Sequence, residues 1–148
     1  MDPSEPMTSF ACVPRWLRAT GRAFDLSPNG DLLQCRYDER WGSAAVAMRR
    51  VISRAGSEWI ALSVPICPVE QVRFRAALAA NDALAVGALA LRDGVILLRQ
   101  TLPLQSLAYE QFEQMLRALV RTAALLIVTA ATMAAEPDRE MAYRYVFR

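Results

Sequence analysis

Apolar and polar residues alternate along three stretches in the first half of the chain. In 31–37, Leu33, Cys35 and Tyr37 share one parity and Gln34 and Arg36 the other, which predicts a half-buried strand. A second strand is expected over 44–53, although Ala47-Met48-Arg49-Arg50 also fits a helix. The third, 58–66, alternates most clearly: Ile60, Leu62, Val64 and Ile66 form a core face, and Trp59, Ala61 and Ser63 lie opposite. Ser27-Pro28-Asn29-Gly30 and Gly56 supply turns, and 38–42 a loop. Before the strands, 9–23 carries Phe10, Val13, Trp16, Leu17 and Ala19 at helical spacing, with Pro14 in the first turn.

The second half alternates helix, hairpin and helix. Pro68 and Val69 open a helix to about Asn81, and Glu70 suits its positive N-terminal dipole. Val72, Ala76 and Ala79 make one stripe on it and Phe74 and Leu78 another, so it is expected to be covered on two sides. Two apolar runs, 84–91 and 95–102, flank Arg92-Asp93-Gly94; Asp-Gly provides the positive φ angles of a primed turn, which predicts an antiparallel hairpin. Pro103 ends the ladder for want of an N–H. Gly87 reads either as a bulge or close backbone approach, or as a weak point of its strand. A last helix starts at Ser106 or Leu107, with Phe112, Met115 or Leu116, Leu119, Ala123, Ile127 and Ala130 on its apolar side. Its uncharged run, 122–135, is shorter than the roughly 18 residues a membrane span needs, and Arg121 blocks extension. The expectation is therefore no membrane span, and a helix buried in the core or at a subunit contact. Residues 1–8 read as a flexible tail, 9–136 as one domain, and 137–148 as an extension that is either a short strand or a docking tail.

Composition narrows the chemistry. Hydrophobic residues make up 54% of the 148, much of it alanine, which favours tight packing or a covered surface. The net charge of +2, with arginines spread along the chain, argues against a nucleic-acid partner. All 17 basic residues are arginine. Arg49, Arg50 and Arg54 read as a solvated face rather than an anion site. Histidine is absent, removing the commonest general base and metal ligand. Cys12, Cys35 and Cys67 are odd in number and far apart, which fits buried thiols in a reducing compartment better than disulfides or zinc. Asp38-Glu39 and Glu110/Glu113 lack a basic or nucleophilic companion and read as loop and helix-start residues. No catalytic residue, metal site or cofactor is expected. Acidic Asp2 and Glu5 stand where a signal peptide would be basic, so the expected setting is cytoplasmic.

Trp41 and Trp59 fit no catalytic role. Trp59 lies opposite the core parity of its strand, so it is either under a helix or exposed on a partner surface. With the weakly patterned first helix as partial cover, Trp16, Leu17, Trp59 and Ala61 form the candidate partner-binding surface.

The element order, helix-strand-strand-strand-helix-strand-strand-helix, predicts an α+β fold: an antiparallel sheet with helices packed on it. The chain resembles the small secretion chaperones of type III systems, most closely over 72–124. The likeness rests on Ala77-Leu78-Ala79-Ala80-Asn81, Gly87-Ala88-Leu89-Ala90-Leu91, Asp93-Gly94-Val95, Leu102-Pro103-Leu104, Leu107, Phe112 and the aliphatic last helix. YbjN-type proteins, described as sensory transduction regulators, are similar over the same stretch. The chaperone resemblance implies a non-enzymatic homodimer. Its contact is formed by 69–81 and 84–91, here Val72, Ala76, Ala79, Val86 and Gly87. It also implies a protein partner, a secreted effector, whose non-globular segment wraps on the first helix and the first three strands. The YbjN-like alternative is a regulatory protein without secreted cargo. Such chaperones are generally acidic, whereas this chain has a pI near 8.6.

Overall fold

The structure, a computed structural model, describes residues 2–40 and 42–135. Helix α1 (Cys12–Ala19) is followed by strands β1 (Phe24–Leu26), β2 (Leu32–Glu39), β3 (Gly42–Ile52) and β4 (Glu58–Pro68). Helix α2 (Phe74–Ala83), the hairpin β5 (Ala88–Arg92) and β6 (Val95–Pro103), and the long helix α3 (Tyr109–Ala135) complete the domain. The strands form one antiparallel sheet in the order β1-β2-β3-β4-β6-β5. The predicted α+β architecture is present, with one strand more than the pattern gave: β1 is three residues long, too short to alternate visibly.

The core lies on one face of the sheet. Leu33, Met48, Ile60, Leu62 and Leu98 are fully buried there, under Val13, Trp16 and Leu17 of α1 and Phe112, Leu116 and Leu119 of α3. The Trp16 and Phe112 rings meet edge to face at 5.0 Å, a favourable quadrupole arrangement. Pro14, in the first turn of α1, removes an N–H that would lack an intrahelical acceptor anyway. The stretch 47–50, ambiguous between strand and helix, is strand, because β3 is laddered on both sides, by β2 and β4.

Several boundaries differ from the expectation for identifiable reasons. Pro68 does not open a helix. It pairs with Val95 at the end of β4, and the Val69 N–H donates to the Gly94 carbonyl. Only a single 3-10 turn, Val69–Gln71, follows; Val72 and Arg73 are extended and α2 begins at Phe74. A register shift between Pro65 and Cys67 inserts one residue, so Cys67 takes the inward position and Ile66 is half-buried. The predicted strand over 84–91 is shortened to begin at Ala88, because Gly87 has φ +74°. The primed turn is as expected, with φ +50° at Asp93 and +75° at Gly94. Ser106, at φ +69°, delays α3 to Tyr109. Along α3 the predicted stripe is buried through Ala123 and again at Ala130, but Ile127 is exposed, beside Leu125 and Val128.

The segment expected as a flexible tail is docked. Met7 is 1% exposed, its N–H donates to the Leu107 carbonyl, and Pro6 bridges Ala108. The Pro3 carbonyl accepts from the Glu110 N–H, satisfying a donor at the start of α3. The Phe10 N–H donates to Glu58, itself paired with Arg50, which fixes the approach to α1. The extension 137–148 and Trp41 lie outside the described residues. Among those residues no helix is long and apolar enough to cross a membrane.

Candidate partner-binding surfaces

The sheet divides the four residues expected to share a partner surface. Trp16 and Leu17 are 3% and 0% exposed and belong to the core on the helical side. Trp59 and Ala61 lie on the opposite face, so the four do not form one surface in this protomer. This corrects the expectation that α1 covers Trp59. The helix turns its apolar stripe to Phe112 instead, because the core parity of the sheet offers it more apolar area.

The outer face is built by register. Gln34, Ala47, Ser63, Arg99 and Ala88 lie in one row across five strands. Leu32, Arg49, Ala61 and Thr101 form the next, and Val51, Trp59 and Pro103 a third. None of these residues belongs to either buried apolar cluster. Trp59 is half-buried, and its indole N–H donates to the Ser57 hydroxyl at 3.1 Å. Arg49, Arg92 and Arg99 ring a small hollow with Leu32, Ala47, Ala61 and Ser63. The adjacent pair Arg49-Arg50 splits as a strand requires. Arg50 leaves this face to pair with Glu58 at 2.8 Å and Asp31 at 3.5 Å.

On the helical side a cleft of about 530 Å³ lies between α1 and the start of α3, lined by Pro3, Ala19, Thr20, Tyr109, Glu113 and Arg117 among others. Its wall is an ionic network. Glu113 accepts from Arg22 at 3.1 Å and pairs with Arg117 at 3.5 Å, and Arg117 also reaches Glu39. The Arg22 guanidinium stacks over both Trp16 and Tyr37. Burial raises the Tyr37 hydroxyl above its ordinary value although Arg117 donates to it, so the phenol stays protonated and neutral.

The residues expected at a dimer contact fall in different places. Ala76 is fully buried within the protomer, and Val72 and Val86 are half-buried against the two apolar clusters. Gly87 is wedged between β6 and α3: a Cβ there would meet Leu98, Leu119 and the Arg99 carbonyl at 3.0–3.1 Å. Ala79 is exposed. Among the described residues, the large apolar side chains left open nearby are Leu78 of α2, 71% exposed, and Leu91 of β5, 51% exposed; both lie in the segments expected at the contact, though not among the residues named for it. Asn81, at the end of α2, donates to and accepts from the backbone of Leu89, tying the helix to the edge strand. Among the described residues, no three His, Cys, Asp or Glu are placed to hold a metal ion, and all three cysteines are free and buried.

Residues 50–126, from the end of β3 into α3, match the model of the Tir chaperone protein (CesT) family. That is just over half of the chain. The chain belongs to the CesT family. Of the two resemblances read from the sequence, the match supports the chaperone one. A chain in the structure of the HopA1–SchA chaperone–effector complex has the same fold as this CesT-family chain. Their TM-score is 0.58 at 15% identity, over 80% of this chain and 94% of that one. No curated protein matches.

Proposed function

We propose that the chain is a type III secretion chaperone that, as a homodimer and without catalysis, holds a non-globular segment of a secreted effector. The observation that carries this reading is the CesT match, which extends from the end of β3 through α2 and the hairpin into α3. The likeness to a chain of a chaperone–effector complex supports it. The subunit contact is assigned to α2 and the β5 edge. Leu78 and Leu91 are exposed there, and Ala79 lets a second backbone approach closely. A cytoplasmic setting fits three free cysteines.

Two measurements test the reading. Light scattering after size exclusion should give the dimer mass at micromolar concentration, and Leu78→Glu should shift it to the monomer with the fold retained; a wild-type monomer overturns the homodimer. Native purification from the host should recover a stoichiometric secreted protein whose bound segment lacks a fold of its own when free. Recovery of no such protein overturns the chaperone assignment.

A further inference from the structure

We infer that the outer face of the sheet receives an acidic, extended segment of the partner protein, with carboxylates seated on Arg99, Arg49 and Arg92 above Ala61 and Ser63. This rests on the reading that the chain holds a non-globular protein segment and adds the chemistry of that segment.

Charge complementarity carries the argument. Among the described strand residues, the ionised side chains on this face are Arg36, Arg49, Arg92 and Arg99 against Asp25 and Asp38. Asp25 lies on the three-residue edge strand β1, and Asp38 sits opposite Ser43 at the far end of β2, while Arg36 donates to Ser43. The centre is therefore basic. Arg49, Arg92 and Arg99 make no ion pair among the described residues, unlike Arg22, Arg50 and Arg117 on the helical side. Beneath them Ala61 and Ser63 are 5% and 9% exposed, so the guanidiniums lie low across small residues. Arg99 adds a second, independent sign: its Nε is buried with no hydrogen-bond partner. A buried guanidinium N–H without an acceptor is unfavourable. A carboxylate entering side-on takes two parallel hydrogen bonds from such a group. Exposed Arg49 and Arg92 can swing aside to admit it without breaking an ion pair among the described residues.

The shape selects an extended chain. The hollow is small, with no room for a base or a ring. Arg49 on β3 and Arg99 on β6 are two strand spacings apart across the sheet and two residues apart along it, about 12 Å on the diagonal. Carboxylates three or four residues apart on an extended segment span about 10–13 Å.

The probe is a fluorescein-labelled twelve-residue peptide alternating Glu and Ser, titrated by anisotropy against the full chain at low and moderate salt. Binding that weakens with salt is expected, as is no binding of the same peptide with Lys for Glu. Arg49→Gln/Arg92→Gln, both exposed, should weaken binding at least tenfold with unchanged circular dichroism. Arg99→Gln should do likewise, and Arg99→Lys should fail to restore it, because an ammonium offers a point charge and no fork. Equal binding of the Lys peptide, unchanged affinity in the Arg49/Arg92 double variant, or tighter binding of a single-stranded oligonucleotide overturns the inference. If an identified effector binds that double variant as tightly as wild type, the arginine face is wrong and the chaperone reading stands. If the acidic peptide behaves as expected but no effector is recovered from the host, the face stands and the chaperone reading falls.

Discussion

Replacing Gly87 with alanine probes a close backbone approach between the hairpin and α3. Two penalties combine. Gly87 has φ +74°, where an L-residue carries a cost of about 1–2 kcal/mol from its Cβ against the following carbonyl. The Cβ would also stand 3.0 Å from Leu98 Cδ1, 3.1 Å from Leu119 Cδ1 and 3.1 Å from the Arg99 carbonyl oxygen. The two methyls can turn away, but the carbonyl belongs to β6, held between β4 and β5, and cannot. Overpacking of this kind costs about 1–3 kcal/mol. Alanine restricts the unfolded chain and returns about 0.4–1 kcal/mol. The expected net loss is about 2–4 kcal/mol, or roughly 6–12 °C in Tm for a chain of this size. Gly94→Ala is the control: its φ is +75° and nothing lies within 4 Å of the added carbon, so it carries the backbone penalty alone. Urea denaturation followed by circular dichroism measures both. Gly87→Ala should be the worse by at least about 1 kcal/mol, and by the same amount at every protein concentration, since the clash is within one protomer. Equal losses at the two sites refute the steric argument; a difference that grows on dilution places the effect at a subunit contact instead.

Two further outcomes follow from the two faces of the sheet and from the entry to α1. Trp16→Ala removes a 3% exposed ring packed on Phe112 and should cost about 3–5 kcal/mol, whereas Trp59→Ala on the outer face should cost less than half as much; equal losses in denaturant unfolding would contradict the placement of Trp59. Hydrogen bonds from Arg50 and from the Phe10 N–H hold the Glu58 carboxyl below its ordinary 4.5, so its stabilisation is complete above that value and is lost as pH falls through the lower folded one; Glu58→Gln should flatten the acid limb of the stability–pH curve below 4.5, and an unchanged limb refutes the role.

Much of the fold was legible because strands with one buried face write their parity into the sequence. Leu33, Cys35 and Tyr37 announced β2, and Ile60, Leu62 and Val64 announced β4, because water on one side and core on the other impose a period of two. The hairpin was legible for a different reason: Asp93-Gly94 satisfies a backbone requirement few pairs meet. What misled was information held elsewhere in the chain. Pro68 looks identical at a helix start and at a strand end, and the Gly94 carbonyl waiting for Val69 decides between them. Pro6 and Met7 look like part of a loose tail because their partners, Ala108 and Leu107, are a hundred residues away.

The candidate surfaces divide along the same line. The parity of Trp59 and Ala61 correctly excluded them from the main core, since strand period alone fixes the face. Trp16 and Leu17 went to the wrong surface because a helical stripe says that it will be covered, not by what. The dimer expectation shows the converse: Val72, Ala76 and Ala79 form a plausible stripe beside Gly87, yet their own protomer covers Val72, Ala76 and Gly87 wholly or in part, and Leu78, Ala79 and Leu91 are the ones left open. The arginine face was illegible for a third reason. Arg49, Arg92 and Arg99 come from three different strands, and in the sequence each alone reads as an ordinary solvated arginine. The antiparallel order β3-β4-β6-β5 and its register bring them over one pair of small residues. Substituting Ala61 or Ser63 with a bulky residue would lift the guanidiniums off the sheet without altering a single charge. An electrostatic surface on a sheet is thus specified as much by the small residues beneath it as by the charges that form it.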